Sequence, residues 1–234
     1  AVVRLPYRPG HFLVEGHELA AVWPPEAADR VARCLKRAQV TGPVRTLAQD
    51  PAFGIDQLVE IALRALSPAV NDTFTAMTCV DWLAESLCKF ARAWAPVQVY
   101  RSGAHTRATA QVYCDRGGTI RVIADQVGYE RLVQRSFNKV RQASRGMPAL
   151  LIRQLNALTT IMEQTTDADQ ARVLMDQAAM IQRANLESVP EECDRADVER
   201  RYSALAAAYA RLNGGPRAQM RPASVGHVEH HSGA

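Results

Sequence analysis

Apolar residues recur every three or four positions along most of the chain, which is the spacing of one buried helix face. The clearest case lies between Asp50-Pro51 and Ser67-Pro68. An Asp followed by Pro is typical of a helix start, and Pro disfavours helical geometry in the residue before it. The apolar spacing resumes after Asn71-Asp72. Because only a few residues separate these two helices, the pattern predicts a helix hairpin.

The same periodicity predicts five more helices, one before the hairpin and four after it. They are expected over residues 24–39, 129–143, 148–164, 167–186 and 194–212. The first of them differs from the others because its outer face is basic. Its cations are Arg30, Arg33, Lys36 and Arg37. A face of this kind fits either the headgroups of anionic lipids or simple solvation.

Other stretches favour strands, because β-branched and aromatic residues are enriched there. Residues 108–114 and 119–124 flank Asp115-Arg116-Gly117-Gly118, which predicts a β-hairpin, and residues 97–100 are expected to pair with it. Shorter strands are predicted near the N-terminus. They are expected at residues 2–5, 12–14, 19–23 and 40–47, with a turn at Arg8-Pro9-Gly10-His11.

The N-terminal pattern of residues 8–23 is similar to one half of a barrel-sandwich hybrid, the small β-fold of biotinyl and lipoyl carriers. The lysine that is modified in such carriers has no counterpart here, so a structural β-element is expected rather than a carrier. His11 and His17 flank one predicted strand. Solvated turn histidines and a metal-binding pair are the two interpretations, and no metal site is predicted.

The predicted fold is α+β and mainly α: a helix bundle with an inserted β-hairpin and a small N-terminal β-element that resembles a barrel-sandwich half. Residues 1–47 would form the β-element plus a helix. Residues 48–212 would form the helical bundle, with the hairpin near residues 108–124. Residues 213–234 are polar and rich in Gly, Pro and His, which predicts a disordered tail.

Composition narrows the class of protein. The chain has 234 residues, of which 47% are hydrophobic and 6% aromatic, and this supports a real core built from helices. The net charge of +4 is too mild for a dedicated nucleic-acid binder. The five cysteines are odd in number and form no CxxC pair, which favours reduced thiols in the cytoplasm. No apolar run approaches the roughly 20 residues that span a bilayer.

Common catalytic signatures are missing from the sequence, including the phosphate-binding loop, the dinucleotide loop, the zinc-protease motif and the nucleophile elbow. An enzyme is therefore not the leading prediction, and no cofactor is predicted. The one candidate ligand-binding constellation lies around the helix hairpin. Its members are Gln57, Glu60, Arg64, Ser67, Asn71, Asp72 and Asp81. Three interpretations stay open: a polar network that only fixes the hairpin, a site for a ligand or ion, and a catalytic site.

The stretch FGIDQLVEIALRALSPAVNDTFTAMTCVDWL resembles the signature of a bacterial predicted membrane protein family, domain-of-unknown-function family 2254. The chain departs from that pattern at Asp56, where Arg is usual, and at Thr73, where Pro is usual. The residues that agree are Phe53, Gly54, Gln57, Leu58, Ile61, Ala62, Arg64, Ala65, Leu66, Ser67, Pro68, Asn71, Asp72, Thr75, Ala76 and Asp81.

This resemblance implies a cellular location and no particular activity. It implies transmembrane helices upstream of this chain, so that the chain would be the soluble C-terminal portion of a multi-span protein in the bacterial inner membrane, on the cytoplasmic side. The leading prediction is a non-catalytic role in assembly, sensing or gating, as a homo-oligomer and without nucleic acid. The alternative is a receptor for a small ligand or ion, or an enzyme, that uses the polar corner around Arg64 and Asp72.

Overall fold

The computed structural model describes residues 1–38, 41–47, 50–93, 98–102 and 106–214. The helices are α1 (Ala28–Ala38), α2 (Pro51–Ala65), α3 (Thr73–Ala93), α4 (Tyr129–Ala143), α5 (Pro148–Gln164), α6 (Ala168–Ser188) and α7 (Glu192–Gly214), with a 3-10 turn at Pro25–Ala27 before α1. The strands are β1 (Val2–Leu5), β2 (Ala21–Trp23), β3 (Gln98–Ser102), β4 (Thr106–Cys114) and β5 (Ile120–Asp125). The mainly helical α+β class is confirmed.

The five strands form one mixed sheet in the order β2-β1-β5-β4-β3. The predicted hairpin of β4 and β5 is present, and β3 pairs with β4 as expected. β1 lies parallel to β5, with Val3 opposite Val122, and antiparallel to β2. The N-terminal strands therefore share a sheet with the hairpin and are not a free-standing element.

Two of the predicted strands are wrong. Residues 12–14 lie in an irregular segment between β1 and β2, and Phe12 is 88% exposed. This three-residue apolar run pairs with none of the five strands, and both sides of the nearby β1 are already taken by β2 and β5. Residues 41–47 carry no strand either; residue 40 and the predicted tail from residue 215 lie outside the described residues.

Helix α5 forms the centre of the bundle, packed against α3, α6 and α7. Its fully buried side chains include Leu150, Leu151, Leu155, Leu158, Ile161 and Met162. Burying one such side chain stabilises a fold by about 1.5–3 kcal/mol relative to leaving it exposed. The apolar stripe of α5 thus accounts for much of the stability of the bundle, and the other helices are arranged around it.

Helices α2 and α4 pack against each other at one side of this bundle. Their apolar faces point inward, with Val59 on α2 and Val133 and Phe137 on α4 buried. Their polar faces are left at the surface, where the N-terminal segment before β2 and the loop before α2 cover part of them. A charged cleft lies between the N-terminal segment on one side and α2 and α4 on the other.

Candidate functional site

The predicted polar corner is a surface structure rather than a concave site. Arg64 forms an ion pair with Glu60 one helical turn away on α2, and 77% and 61% of these side chains are exposed. Gln57 is also exposed on α2. An exposed pair at this spacing contributes only about 0.3–0.5 kcal/mol, because water screens it. These three residues share one helix face, as predicted, but Arg64 lines neither of the two described cavities.

The connection between α2 and α3 is held by local hydrogen bonds. The Ser67 carbonyl accepts from the Asn71 amide at 2.9 Å, and Asn71 takes the left-handed conformation with φ of 51°. Asn tolerates this conformation better than most residues. The Asp72 carboxylate caps α3 through the Thr75 amide at 3.0 Å and the Thr75 hydroxyl at 2.5 Å. The hydrogen bond from the Thr75 hydroxyl, followed by those from backbone amides, holds the pKa of Asp72 below its usual range.

Asp81 lies away from this corner. It forms an ion pair with Arg153, which joins α3 to α5. The two residues line a small cavity of about 260 Å³ together with Glu85 and Cys88. The corner hypothesis therefore stays a prediction, but the structure does not bring its seven residues together around one cavity.

A charged cleft with a volume of about 890 Å³ lies between α2, α4 and the N-terminal segment. Glu60 lines this cleft, Asp81 lines the smaller cavity, and the other five predicted site residues line neither. The lining residues of the charged cleft are Arg8, Pro9, Gly10, His11, Arg45, Asp50, Asp56, Val59, Glu60, Leu63, Arg131, Gln134, Arg135, Asn138 and Lys139. Sequence reasoning missed this site because its walls come from three separate stretches of chain.

A tight turn brings the N-terminal segment into the cleft. The His11 amide donates to the Arg8 carbonyl at 3.1 Å, and Gly10 has φ of 85°. Pro followed by Gly at the two central positions is the signature of a type II turn, because its third residue needs a positive φ. The predicted turn at residues 8–11 is thus confirmed, and its two ends, Arg8 and His11, both line the cleft.

Gly10 is also required by close packing. A side-chain carbon at this position would lie 2.8 Å from Arg45 Nε and would overlap the Asp50 carboxylate. Arg45 in turn donates to Asp50 at 3.0 Å through Nε and stacks over the Phe53 ring at 5.0 Å. A cation over an aromatic face adds an attraction of about 0.5–1 kcal/mol at an exposed site. The turn therefore rests directly on an ion pair that belongs to the loop before α2.

Asp56 is the acceptor that joins the walls of the cleft. Arg45 Nη1 donates to it at 2.6 Å, and Arg135 from α4 donates to it through two nitrogens. Partial burial of the carboxyl acts to raise its pKa, but the hydrogen bonds from Arg135 and Arg45 outweigh this and hold the pKa of Asp56 below its usual range. Asp56 is therefore a carboxylate at neutral pH, and it neutralises part of the charge of the two arginines.

The cleft nevertheless keeps an excess of positive charge, since five Arg or Lys side chains face three carboxylates. Asp50 and Asp56 are engaged by Arg45 and Arg135, and Glu60 by Arg64. Among the residues that the structure describes, Arg8, Arg131 and Lys139 have no hydrogen bond or ion pair from their side chains. The cleft thus contains three cations that no carboxylate within 4.0 Å compensates.

The electrostatics of Arg8 and His11 reflect this excess. Burial, and then repulsion by Arg131 and Arg135, lower the pKa of Arg8 and outweigh the attraction of Asp50 and Asp125. Burial, followed by repulsion from Arg8, also lowers the pKa of His11. Like charges that are held together lower the stability of a fold unless an anion compensates them.

One signal in the sequence could have pointed to this cleft. Arg131, Arg135 and Lys139 recur every four residues on α4, so they share one helix face about 6 Å apart. The sequence also showed that Asp56 stands where the family pattern usually has Arg. It did not show that Arg45 and Arg135 would bind this carboxylate. Nothing in the sequence showed that Arg8 and Arg45 would face the α4 stripe, because that depends on the packing of the N-terminal segment.

The described part of the chain offers no cluster of three or more His, Cys, Asp or Glu side chains that could hold a metal ion. Within the same residues, no helix is both long enough and apolar enough to cross a bilayer.

Comparison with known proteins places the chain among uncharacterised relatives. A family model described as "Predicted membrane protein (DUF2254)" matches residues 1–160. An uncharacterised protein of Mycobacterium bovis and one of Mycobacterium tuberculosis are each 30% identical over 171 residues, which is 73% of this chain. The aligned region is 30% of the length of either relative. No solved structure matches the chain.

Proposed function

Because the chain belongs to this family of predicted membrane proteins, we propose that it is a non-catalytic cytoplasmic sensing domain of a multi-span protein in the bacterial inner membrane. The observation that carries the proposal is the charged cleft, in which one wall belongs to the N-terminal segment and the other to the helical bundle. A ligand in such a cleft touches both parts at once. Occupancy would therefore change how firmly the N-terminal segment is held.

The chain spans about a third of the relatives that it matches. The family resemblance implies membrane helices upstream, so the segment that carries Arg8 would connect them to the bundle. In this arrangement, binding in the cleft alters the coupling between the membrane part and the bundle. Sensing is thus favoured over a purely structural role in assembly, and gating would be its consequence in the membrane part.

The cysteines support a cytoplasmic location. All five are free thiols, and Cys34, Cys114 and Cys193 are exposed. Disulfides form and persist in the periplasm, whereas cysteines stay reduced in the cytoplasm. They also provide the reporters for a direct test.

The test is the labelling of these thiols in the full-length membrane protein with a maleimide that cannot cross membranes. Labelling of Cys193 is expected in inside-out membrane vesicles but not in intact spheroplasts, with a Cys193→Ser variant as the matched control. Labelling of Cys193 in intact spheroplasts would place the chain outside the cytoplasm and contradict the proposal.

A receptor at the polar corner of Arg64 and Asp72 is the second candidate from the sequence, but the geometry favours the cleft over the corner. Homo-oligomerisation also stays part of the proposal. Small residues such as Ala84 on α3 permit close approach of a second helix, but Ala84 is only 7% exposed, in a bundle in which α3 packs on α5. A monomeric mass by light scattering for the full-length protein in detergent would remove the oligomer from the account.

A further inference from the structure

The three unpaired cations of the cleft are arranged to meet one ligand from two sides. Arg131 and Lys139 stand on the same face of α4, and Arg8 reaches the cleft from the N-terminal turn. Burial, followed by repulsion from Arg131 and Arg135, lowers the pKa of Arg8. A bound anion would remove this repulsion, because it would lie between the charges that cause it.

The type of cation indicates the type of anion. A guanidinium presents paired N–H groups in a plane and matches the oxygens of a phosphate or carboxylate with two parallel hydrogen bonds. Three uncompensated cations exceed what a single negative charge needs. A phosphate monoester carries nearly two negative charges at neutral pH and three acceptor oxygens, so it suits this set better than a carboxylate or a phosphodiester.

The cleft is larger than an inorganic phosphate ion requires. Its volume of about 890 Å³ is in the range of sites for small organic ligands. Leu63 on α2, which is half-buried, supplies apolar surface beside the charges. The Asn138 side chain also lines the cleft and adds a polar group beside this apolar surface.

From these observations we infer that the cleft binds an organic phosphate monoester, with Arg8 and Arg131 on the phosphate and Lys139 adding charge. The inference rests on the proposed sensing function and names its ligand class. The phosphate can come from a small molecule dissolved in the cytoplasm or from the headgroup of a membrane lipid such as phosphatidate. The shared chemistry is a glycerol phosphate type of monoester.

The test measures binding to the purified 234-residue chain. The probe is glycerol 3-phosphate. Its binding is measured by calorimetry and by the rise in melting temperature, and sodium sulfate at equal ionic strength is the control anion. The cleft variants are Arg8→Gln and Arg131→Gln. Arg116→Gln is the matched control, because Arg116 is exposed in the hairpin turn and lines no described cavity.

A second arm identifies the source of the phosphate. Co-flotation is measured with phosphatidylcholine vesicles that contain either phosphatidate, which carries a monoester, or phosphatidylglycerol, which carries a diester. Binding of free glycerol 3-phosphate indicates a dissolved ligand. Binding to phosphatidate vesicles alone, without binding to phosphatidylglycerol vesicles, indicates a lipid headgroup.

Each cleft variant is expected to weaken binding at least about tenfold, since a hydrogen bond to a charged group contributes that much or more. Arg116→Gln should leave binding within about twofold of the wild type. Arg131→Gln should also keep or raise the melting temperature without ligand, because it removes repulsion on Arg8. A melting temperature of this kind would exclude misfolding as the cause of lost binding in Arg131→Gln.

Three results would overturn the inference: neither source binds to the wild type, sulfate stabilises it as much as the monoester does, or the cleft variants bind as well as Arg116→Gln. None of these outcomes touches the sidedness of Cys193, which is measured in cells. Failure of the ligand class is therefore distinguishable from failure of the cytoplasmic location.

Discussion

Asp56 accepts hydrogen bonds from Arg45 in the loop before α2 and from Arg135 on α4. About 29% of its side chain and about 30% of each arginine side chain are exposed. Pairs of this kind lie between exposed ones, which contribute little, and fully buried ones, whose disruption is costly. At the residue scale, Asp56 thus engages Arg45 and Arg135. The other three cations of the cleft, Arg8, Arg131 and Lys139, are the ones proposed to meet the ligand.

Replacement of Asp56 by Asn is expected to lower the free energy of unfolding at neutral pH by about 1–2 kcal/mol, a value discounted for screening by solvent. The pKa of Asp56 in the folded protein lies below its ordinary value of 3.8. Its contribution is therefore complete above about pH 4 and is lost as the pH falls through the folded pKa. Urea unfolding of both proteins between pH 7 and pH 3 should show the difference shrink in acid.

The control for this series is Asp176→Asn, which removes an exposed carboxylate on α6. It should change stability by less than about 0.5 kcal/mol at either pH. A difference between wild type and Asp56→Asn that stays constant down to pH 3 would show that Asp56 does not form these ion pairs.

At the scale of elements, α5 carries the core. Leu155 is completely buried in it, whereas Leu186 near the end of α6 is 64% exposed. Leu155→Ala is expected to cost about 2–5 kcal/mol, because it removes buried methyl groups and leaves a cavity. Leu186→Ala should change stability by less than about 0.5 kcal/mol. Comparable losses in urea unfolding for the two variants would contradict the assignment of α5 as the central helix.

The elements were largely predictable from the sequence because their signals are local. The apolar stripe of α5 follows from spacing alone, and the start of α2 at Asp50-Pro51 follows from the chemistry of the first turn. The Asp50 side chain accepts from the Ala52 amide at 3.1 Å, as this predicts. The strand predicted at residues 12–14 failed because strand formation depends on a partner, which lies far away in sequence.

The cleft was not predictable for the same physical reason. Arg8, Asp56 and Arg135 are separated by dozens of residues, and their proximity depends on how the N-terminal turn packs on the bundle. A ligand site was predicted at the polar corner around Arg64 because its residues lie close together in sequence. Adjacency in sequence produced a cap and an exposed ion pair, while distant residues produced the cavity.

At the scale of the whole molecule, the cleft joins the N-terminal segment to a bundle built on α5. β1 also ties this segment to the hairpin through its parallel pairing with β5. The segment is therefore held at two places, by the backbone hydrogen bonds of β1 and by the packing of Gly10 against Arg45 and Asp50. Only the second place lies in the cleft, which is why the proposed sensing acts through residues 8–11 rather than through the sheet.

The most direct test of this account is hydrogen–deuterium exchange of the whole chain with and without saturating glycerol 3-phosphate. Exchange reports how often each backbone amide opens, so it shows which segment a ligand holds. The account predicts slower exchange both in residues 7–11 and on α4 in the wild type, and no change in Arg131→Gln. Protection confined to α4, with the N-terminal turn unaffected, would contradict the claim that the cleft couples the two parts of the molecule.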